Sequence, residues 1–380
     1  MKGGWQMKTL DQIALNLDSK RIPITKSARV SGKYPYYGAS GIVDYVTDYI
    51  FEGDTLLVSE DGANLLARST PIAFPASGKY WVNNHAHILK FDDMTTQRFV
   101  ELYLDSIPLD EYVTGAAQPK LNQQALNSIP IPLPSLPEQQ RIVGILDEAF
   151  DGIAIAKANA KKNLHNARAL FESHLQSVFA RLSDEVQLSE LASEITDGDH
   201  SPPPKASTGV PFITISDIVK STRQVDFSNT FMVPAEYFQK LKPNKKPKVG
   251  DILYTVTGAT LGIPVLVKEQ RDFCFQRHIG LVRPKPDTDS AWLSYALLSP
   301  QLFSQATIGS TGAAQKTVSL SVLRSLKVPK VALPEQKRIA AQLDSTAAQT
   351  QRLSSIYQQK LAVLDELKKS LLHQAFSGEL

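Results

Sequence analysis

The chain reads as an α+β protein written twice. Two mixed α/β heads are each followed by a long helix, and the two helices pair antiparallel as a coiled coil that separates the heads in a pseudo-twofold arrangement. Three observations predict this: an ungapped internal repeat, short β-type runs punctuated by glycine and proline before each copy, and a 3–4 apolar spacing after each copy.

The repeat comes first. Residues 114–147 read TGAAQPKLNQQALNSIPIPLPSLPEQQRIVGILD, and residues 311–344 read TGAAQKTVSLSVLRSLKVPKVALPEQKRIAAQLD. A constant offset of 197 pairs Thr114 with Thr311, Gln118 with Gln315, Pro132 with Pro329 and Asp147 with Asp344. Matches this varied in type are a duplication and not low complexity. Fainter echoes lie upstream: Gly53-Asp54 against Gly250-Asp251, Asn84-His85 against Arg277-His278, and Leu10 against Leu188.

The elements follow in order. Head one (1–136) has β-type runs at 49–51, 55–58 and 88–91 and a helix over 96–106; head two (184–333) has runs at 211–215, 252–256 and 264–267 and a helix over 290–304. After each head a proline-containing strap enters Leu-Pro-Glu-Gln, where proline suits a first helical turn and glutamate suits the helix dipole. The helical segments are 137–183 and 334–380. The first seam steps through Ile142, Leu146, Ile153, Ala160, Ala167, Leu170 and His174. The second steps through Ile339, Leu343, Thr350, Leu353, Tyr357, Leu361, Leu367 and Leu371. The first is Ala-rich early and the second Leu-rich late, so antiparallel pairing sets small residues against large.

Composition excludes several classes. Of 380 residues, 42% are hydrophobic and 21% charged, as in ordinary globular protein. No uncharged apolar window is long enough to span a membrane, and the first residues lack a secretory h-region. The single cysteine, Cys274, fits a reducing cytoplasm. The net charge of +3 resolves into −2 for head one (12 basic, 14 acidic) and +3 for head two (17 basic, 14 acidic), with +1 in each helix. No phosphate loop, zinc-spaced cluster, nucleophile elbow or methyltransferase motif is present. Glu52, Asp54, Glu60 and Asp61 could hold a metal for hydrolysis, yet head two keeps only Asp251 of that group.

Two diverged heads, each with a proline strap, an L-P-E-Q-x-R-I opening and a long helix, closely resemble the specificity (S) subunit of type I restriction–modification systems. The residues carrying this are 114–118, 136–142, 311–315, 333–339 and the final LLHQAFSGEL, with smaller hallmarks at 37–41, 61–64 and 195–200. The resemblance implies two target recognition domains that each read half of a bipartite site in double-stranded DNA. It further implies helices that set the spacer and dock two adenine-N6 methyltransferase (M) subunits, and restriction (R) subunits that can join. On this reading the chain is non-catalytic and carries no metal or cofactor. S-adenosylmethionine belongs to the M subunits, ATP and Mg to the R subunits, and the setting is a prokaryotic cytoplasm. The alternatives are an S subunit serving a fused methylase–nuclease polypeptide, a stand-alone nuclease, or a protein-binding adaptor.

Residue type and position nominate the contacts. In head one they are Tyr36, Tyr37, Ser40, Asn64, Arg68, Asn83, Asn84, His85 and Lys120. In head two, the basic loop contributes Lys242, Lys245 and Lys246, joined by His200, Lys205, Thr257, Gln276, Arg277, His278 and Lys316. Amides and arginine can read base edges, while lysines neutralise phosphate. The repeated Glu138, Gln139, Arg141 and Glu335, Gln336, Arg338 are the candidate partner-docking faces.

Overall fold

The computed structural model describes residues 4–115, 117–200, 203–311 and 316–380. Ala116 and residues 312–315 of the repeated TGAAQ stretches lie outside them. The chain divides into two units, 1–161 with 358–380 and 162–357, so each long helix contributes to both.

The duplication survives as topology. The core sheet of head one runs Leu15–Asn16, Ala86–Lys90, Thr55–Ser59, Ala73–Ala76; that of head two runs Ala192–Asp197, Ile279–Pro284, Ile252–Thr255, Pro264–Leu266. Neighbours are antiparallel in both. The strand entering the middle of each sheet follows a left-handed glycine, Gly53 (φ 104°) or Gly250 (φ 91°), which explains the repeated Gly-Asp. A second sheet in each head contains one parallel pair: Ser31–Gly38 with Lys79–Val82, and Val210–Ile213 with Cys274–Phe275. Each head is closed at its neck, where the entering strand pairs antiparallel with the departing strap: Gln6–Thr9 with Pro130–Leu133, and Glu185–Gln187 with Lys327–Pro329.

Helices pack on the core sheets. Met94–Ser106 is capped by Asp93, which accepts from Thr96 N at 2.9 Å, and Ser290–Leu298 by Asp289, which accepts from Trp292 N at 2.9 Å. The expected helix over 290–304 is in fact two, Ser290–Leu298 and Pro300–Ile308. Proline pushes Ser299 before it out of the helical region, and Ser299 then caps the second helix.

The long helices are Leu136–Phe179 and Leu333–Ser377. In the first unit they run antiparallel: Arg141 donates to the Leu380 carbonyl at 2.7 Å, Lys368 lies over the Phe150 ring, and Lys157 pairs with Asp365. Ile142 and Leu146 share a core with Leu56, Phe99, Leu372 and Ala375. In the second, Leu175 and Phe179 share a core with Trp292, Ile339 and Leu343. The buried seam departs from the predicted one from the middle of the second helix and late in the first: Leu170, Leu353 and Leu367 are exposed, and Leu175, Phe179, Ser354, Leu372 and Ala375 are buried. A strict 3.5 spacing drifts about 20° per heptad against a straight helix, so after four heptads the inward position has moved by nearly one residue. Among the described residues, no helix is long and apolar enough to cross a membrane.

Candidate nucleic-acid interface

Both heads bring three chain segments together at the same end of the core sheet. In head one the Glu60 N–H donates to the His85 carbonyl at 2.9 Å, and the Leu121 N–H to the Glu60 carbonyl at 2.8 Å. In head two the Val256 N–H donates to the His278 carbonyl at 3.0 Å, and the Val318 N–H to the Val256 carbonyl at 2.8 Å. Leu121 and Val318 are one repeat offset apart, so the two junctions are equivalent. Single-residue bridges close them: Lys120 pairs with Thr114 and Asp61, and Thr317 with Thr311 and Thr257.

In head one, Ser40, Asn84, His85 and Lys120 are exposed at or near this junction. Asp61 lies 2.7 Å from His85 Nδ1, and Glu60 3.1 Å from the Lys120 ammonium, so two of the four are drawn against carboxylates. Below them lies a charged network that sequence reading missed. Arg21 reaches Glu60 at 2.5 Å and Asp18 at 3.5 Å, and His87 is bound between Asp18 (2.5 Å) and the Leu121 carbonyl (2.8 Å). Burial pushes the Glu60 carboxyl up, but Arg21, His87 and Lys120 outweigh it and hold it below the usual glutamate range. Asp18 is likewise held low: burial raises it, and His87 and the Ile88 N–H more than reverse that. Oxygen and nitrogen atoms of Asp18, Glu60 and His87 fall within 4.8 Å of one another. The cationic place among them is taken by Arg21, and His87 Nε2 faces a carbonyl, so the donor set suits an internal ion-pair network better than a metal. The signal was there in the one histidine, His87, and the one acid, Glu60, set into the apolar runs of residues 86–90 and 55–60.

Several nominated residues turn inward instead. Tyr36 is buried at 1% exposure, its hydroxyl bonded to the Ile24 backbone and its ring under Arg29. Tyr37 packs against Phe74 and Tyr80. Asn64 staples its own loop through Ser69 and Thr70. Arg68 donates to the Leu104 and Ile107 carbonyls, finishing the helix Met94–Ser106, and burial lowers its pKa. Asn83 is buried and accepts from the His85 N–H at 2.8 Å, shaping the turn that presents Asn84 and His85.

In head two, His200, Lys205, Lys242, Arg277 and Lys316 are exposed, while Gln276 and His278 are half-buried. Asp197 holds His200 at 2.7 Å. Thr257 is buried and lies 3.1 Å from the Thr317 hydroxyl. The basic segment is ordered: after the helix Ala235–Lys240, Lys245 donates to the Gly198 carbonyl at 3.0 Å, and Lys246 to the Gln239 carbonyl at 3.0 Å, its ammonium over Phe238. Those two lysines brace loops, leaving Lys242 free of such bonds among the described residues.

The docking candidates also divide. Glu138–Arg141 and Glu335–Arg338 are two-pronged pairs on the helix surface at 2.6–2.9 Å. Gln139 and Gln336 are buried and belong to the strap: Gln139 Nε2 donates to the Pro134 carbonyl at 2.8 Å, and Gln336 Nε2 to the Val331 carbonyl at 2.7 Å. The repeated aspartates have a structural use that the repeat alone could not disclose. Asp147 accepts from Arg98 (2.6 and 3.1 Å) and Asp344 from the Tyr295 hydroxyl (2.6 Å), each tying its long helix to the helix of the adjoining head.

A family model described as the type I restriction modification DNA specificity domain matches residues 2–166 and again 185–361. A putative type I restriction enzyme specificity subunit of Haemophilus influenzae is 30% identical over 356 residues, covering 89% of this chain and 86% of that one. The MjaVIII specificity subunit of Methanocaldococcus jannaschii is 20% identical, covering 99% of this chain and 93% of its own. Among solved structures, a chain from work on complex assembly and conformational transition of the type I R-M system superposes with a TM-score of 0.76 at 20% identity, covering 100% of this chain and 99% of that one. The HsdS subunit from Thermoanaerobacter tengcongensis gives 0.60 at 19% identity, with 100% and 98% covered.

Proposed function

Because the chain belongs to the type I restriction modification DNA specificity family, we propose that it is a sequence-specificity subunit whose two heads each read one half of a bipartite site in double-stranded DNA. The observation that carries this is the pair of equivalent three-segment junctions, which present exposed polar side chains from the same end of both core sheets. The shared backbone gives each head the same platform; the side chains on it differ, as two different half-sites require. Asn84 and His85 in head one, and Arg277 with His278 in head two, are the direct readers on this reading, while Lys120, Lys205, Lys242 and Lys316 meet phosphate. Two short half-sites held on one chain bind jointly through effective concentration.

The chain itself is non-catalytic on this proposal. Two methyltransferase subunits carrying S-adenosylmethionine dock on the long helices through the Glu138–Arg141 and Glu335–Arg338 pairs, whose arginines are exposed, and ATP- and Mg-dependent restriction subunits can join in the prokaryotic cytoplasm. Head one, at net −2, relies on those partners for much of its phosphate neutralisation.

Methylation-aware sequencing of host DNA with and without the gene tests the reading. A split adenine-methylated motif should vanish on deletion; an unchanged methylome would overturn it. Within the assembled complex, Arg277→Ala should relax discrimination at one half-site and leave the other intact.

A further inference from the structure

Head two contains a cavity of about 290 Å³ that DNA reading leaves unused. The junction described above lies at the end of the core sheet where Thr255 pairs with Ile279 and Asp197 with Gly280. The cavity lies towards the other end, past the pairing of Ile252 with Leu266, and is lined by Lys268 and Arg271. Its third cation, Arg223, comes from the turn of the hairpin Ile218–Val219 and Gln224–Val225 and holds a left-handed backbone at φ 52°. Such a conformation is uncommon for a residue with a long side chain.

The cations are prepared for an anion. The Arg223 guanidinium lies over the Tyr295 and Phe171 rings at 5.1 and 5.8 Å, and that of Arg271 over Phe227 at 4.2 Å. The ring faces hold each guanidinium at the cavity wall; Arg223 also meets the Tyr295 hydroxyl, and the donors that remain can take a planar, two-oxygen acceptor. Among the described residues, no carboxylate pairs with Arg223, Lys268 or Arg271. Two acids line the same cavity, Glu269 and Asp344, the latter already accepting from Tyr295. Three cations against two acids leave one net positive charge, which matches a carboxylate better than a phosphate dianion. The rest of the wall sets apolar Val225, Leu266 and Phe273 beside polar Thr222, Gln224 and Ser294, and a cavity this small lies at the lower limit for organic ligands, roughly 300 Å³.

We propose that this cavity binds a single carboxylate carried on a small apolar group. Among the described residues, head one does not repeat it. In head one the repeated aspartate, Asp147, is met by the guanidinium of Arg98 and not by a tyrosine, and the hairpin carrying Arg223 has no counterpart among the described residues of head one. The site therefore distinguishes the two halves of a duplicated scaffold. The carboxylate has two sources, a free small acid or an acidic side chain of a partner.

The probe is fluorophenylacetate, followed by fluorine NMR on the full-length chain, with its neutral amide and inorganic phosphate as comparisons. Saturable binding of one acid per chain is expected, with little binding of the amide. Arg271→Gln and Arg223→Asn, the latter tolerant of a left-handed backbone, should each weaken it about tenfold, as loss of a charged hydrogen-bond donor does. Glu269→Gln should tighten it. Equal binding of acid and amide, preference for phosphate, or unchanged affinity in both arginine variants would overturn the proposal. Repeating the titration with methyltransferase subunits bound separates the sources: loss of the probe signal assigns the carboxylate to that partner, and retention assigns it to a free acid.

Discussion

The strap glutamines offer a comparison in which the protein supplies its own control. Gln336 is 2% exposed and makes two bonds: its Nε2 donates to the Val331 carbonyl and its Oε1 accepts from the Asp289 N–H, both at 2.7 Å. Gln139, one repeat earlier, makes the equivalent bond to Pro134, but its Oε1 is buried without a partner among the described residues. Replacing each with methionine keeps length and volume, so the difference is polar rather than a cavity. Gln336→Met orphans a buried carbonyl and a buried N–H, at about 1–3 kcal/mol each. Gln139→Met orphans one carbonyl and also removes an acceptor that was already unsatisfied. The second head should therefore lose about 1–2 kcal/mol more than the first. Two units need not unfold in one step, so hydrogen exchange of peptides spanning 90–105 and 285–300 is the assay, read as local opening free energies. Equal losses, or a larger loss from Gln139→Met, would refute the reasoning. A strong loss of methyltransferase binding with no change in exchange would return these residues to a docking role.

Three other outcomes follow from the geometry. Burial pushes the Glu101 carboxyl from 4.5 to about 7, with Arg98 opposing and Asp105 adding to it. The folded state thus binds this proton more tightly than the unfolded one, and stability should fall as pH rises from about 4.5 to 7, by at most about 3 kcal/mol. Glu101→Gln should flatten that dependence in denaturation measured at pH values on both sides of the window. A Cβ on Gly198 would sit 1.9 Å from the Phe275 carbonyl oxygen. Gly198→Ala should therefore displace the loop bearing His200, cost about 1–3 kcal/mol, and abolish discrimination at one half-site, measured by binding to duplexes altered in each half. Finally, cysteines replacing Lys157 and Asp365 should be joined by a short bismaleimide within one chain, whereas a parallel helix pair would leave them unlinked.

The duplication, the sheet-rich heads and the antiparallel helices were legible because each is a periodic property of the chain: an offset of 197, a glycine-punctuated alternation, a 3–4 spacing. Of the nominated contact residues, only some keep their polar side chains at the surface. His85 and Arg277 lie exposed in equivalent turns, while Asn64, Arg68 and Asn83 have the same chemistry and spend it on loops and helix ends. Residue type alone cannot separate these, because the partners that satisfy an amide or guanidinium are backbone carbonyls brought close by folding. Arg68 donates to residues 36 and 39 positions away. The Arg21–Asp18–His87–Glu60 network was hidden for the same reason, being assembled from three separate stretches of chain.

The closed necks carry a consequence for how such a protein can change over time. Leu10 and Leu188 match at an offset of 178, Thr114 and Thr311 at 197, so head two carries 19 more residues between those points. Both heads nonetheless begin and end on a paired entering and departing strand, and both straps reach Leu-Pro-Glu-Gln in the same frame. Length gained inside a head is absorbed before it reaches the helix. Insertion, deletion or wholesale replacement of reading surface can therefore accumulate in either head without rephasing the scaffold, so specificity can drift while assembly is inherited unchanged.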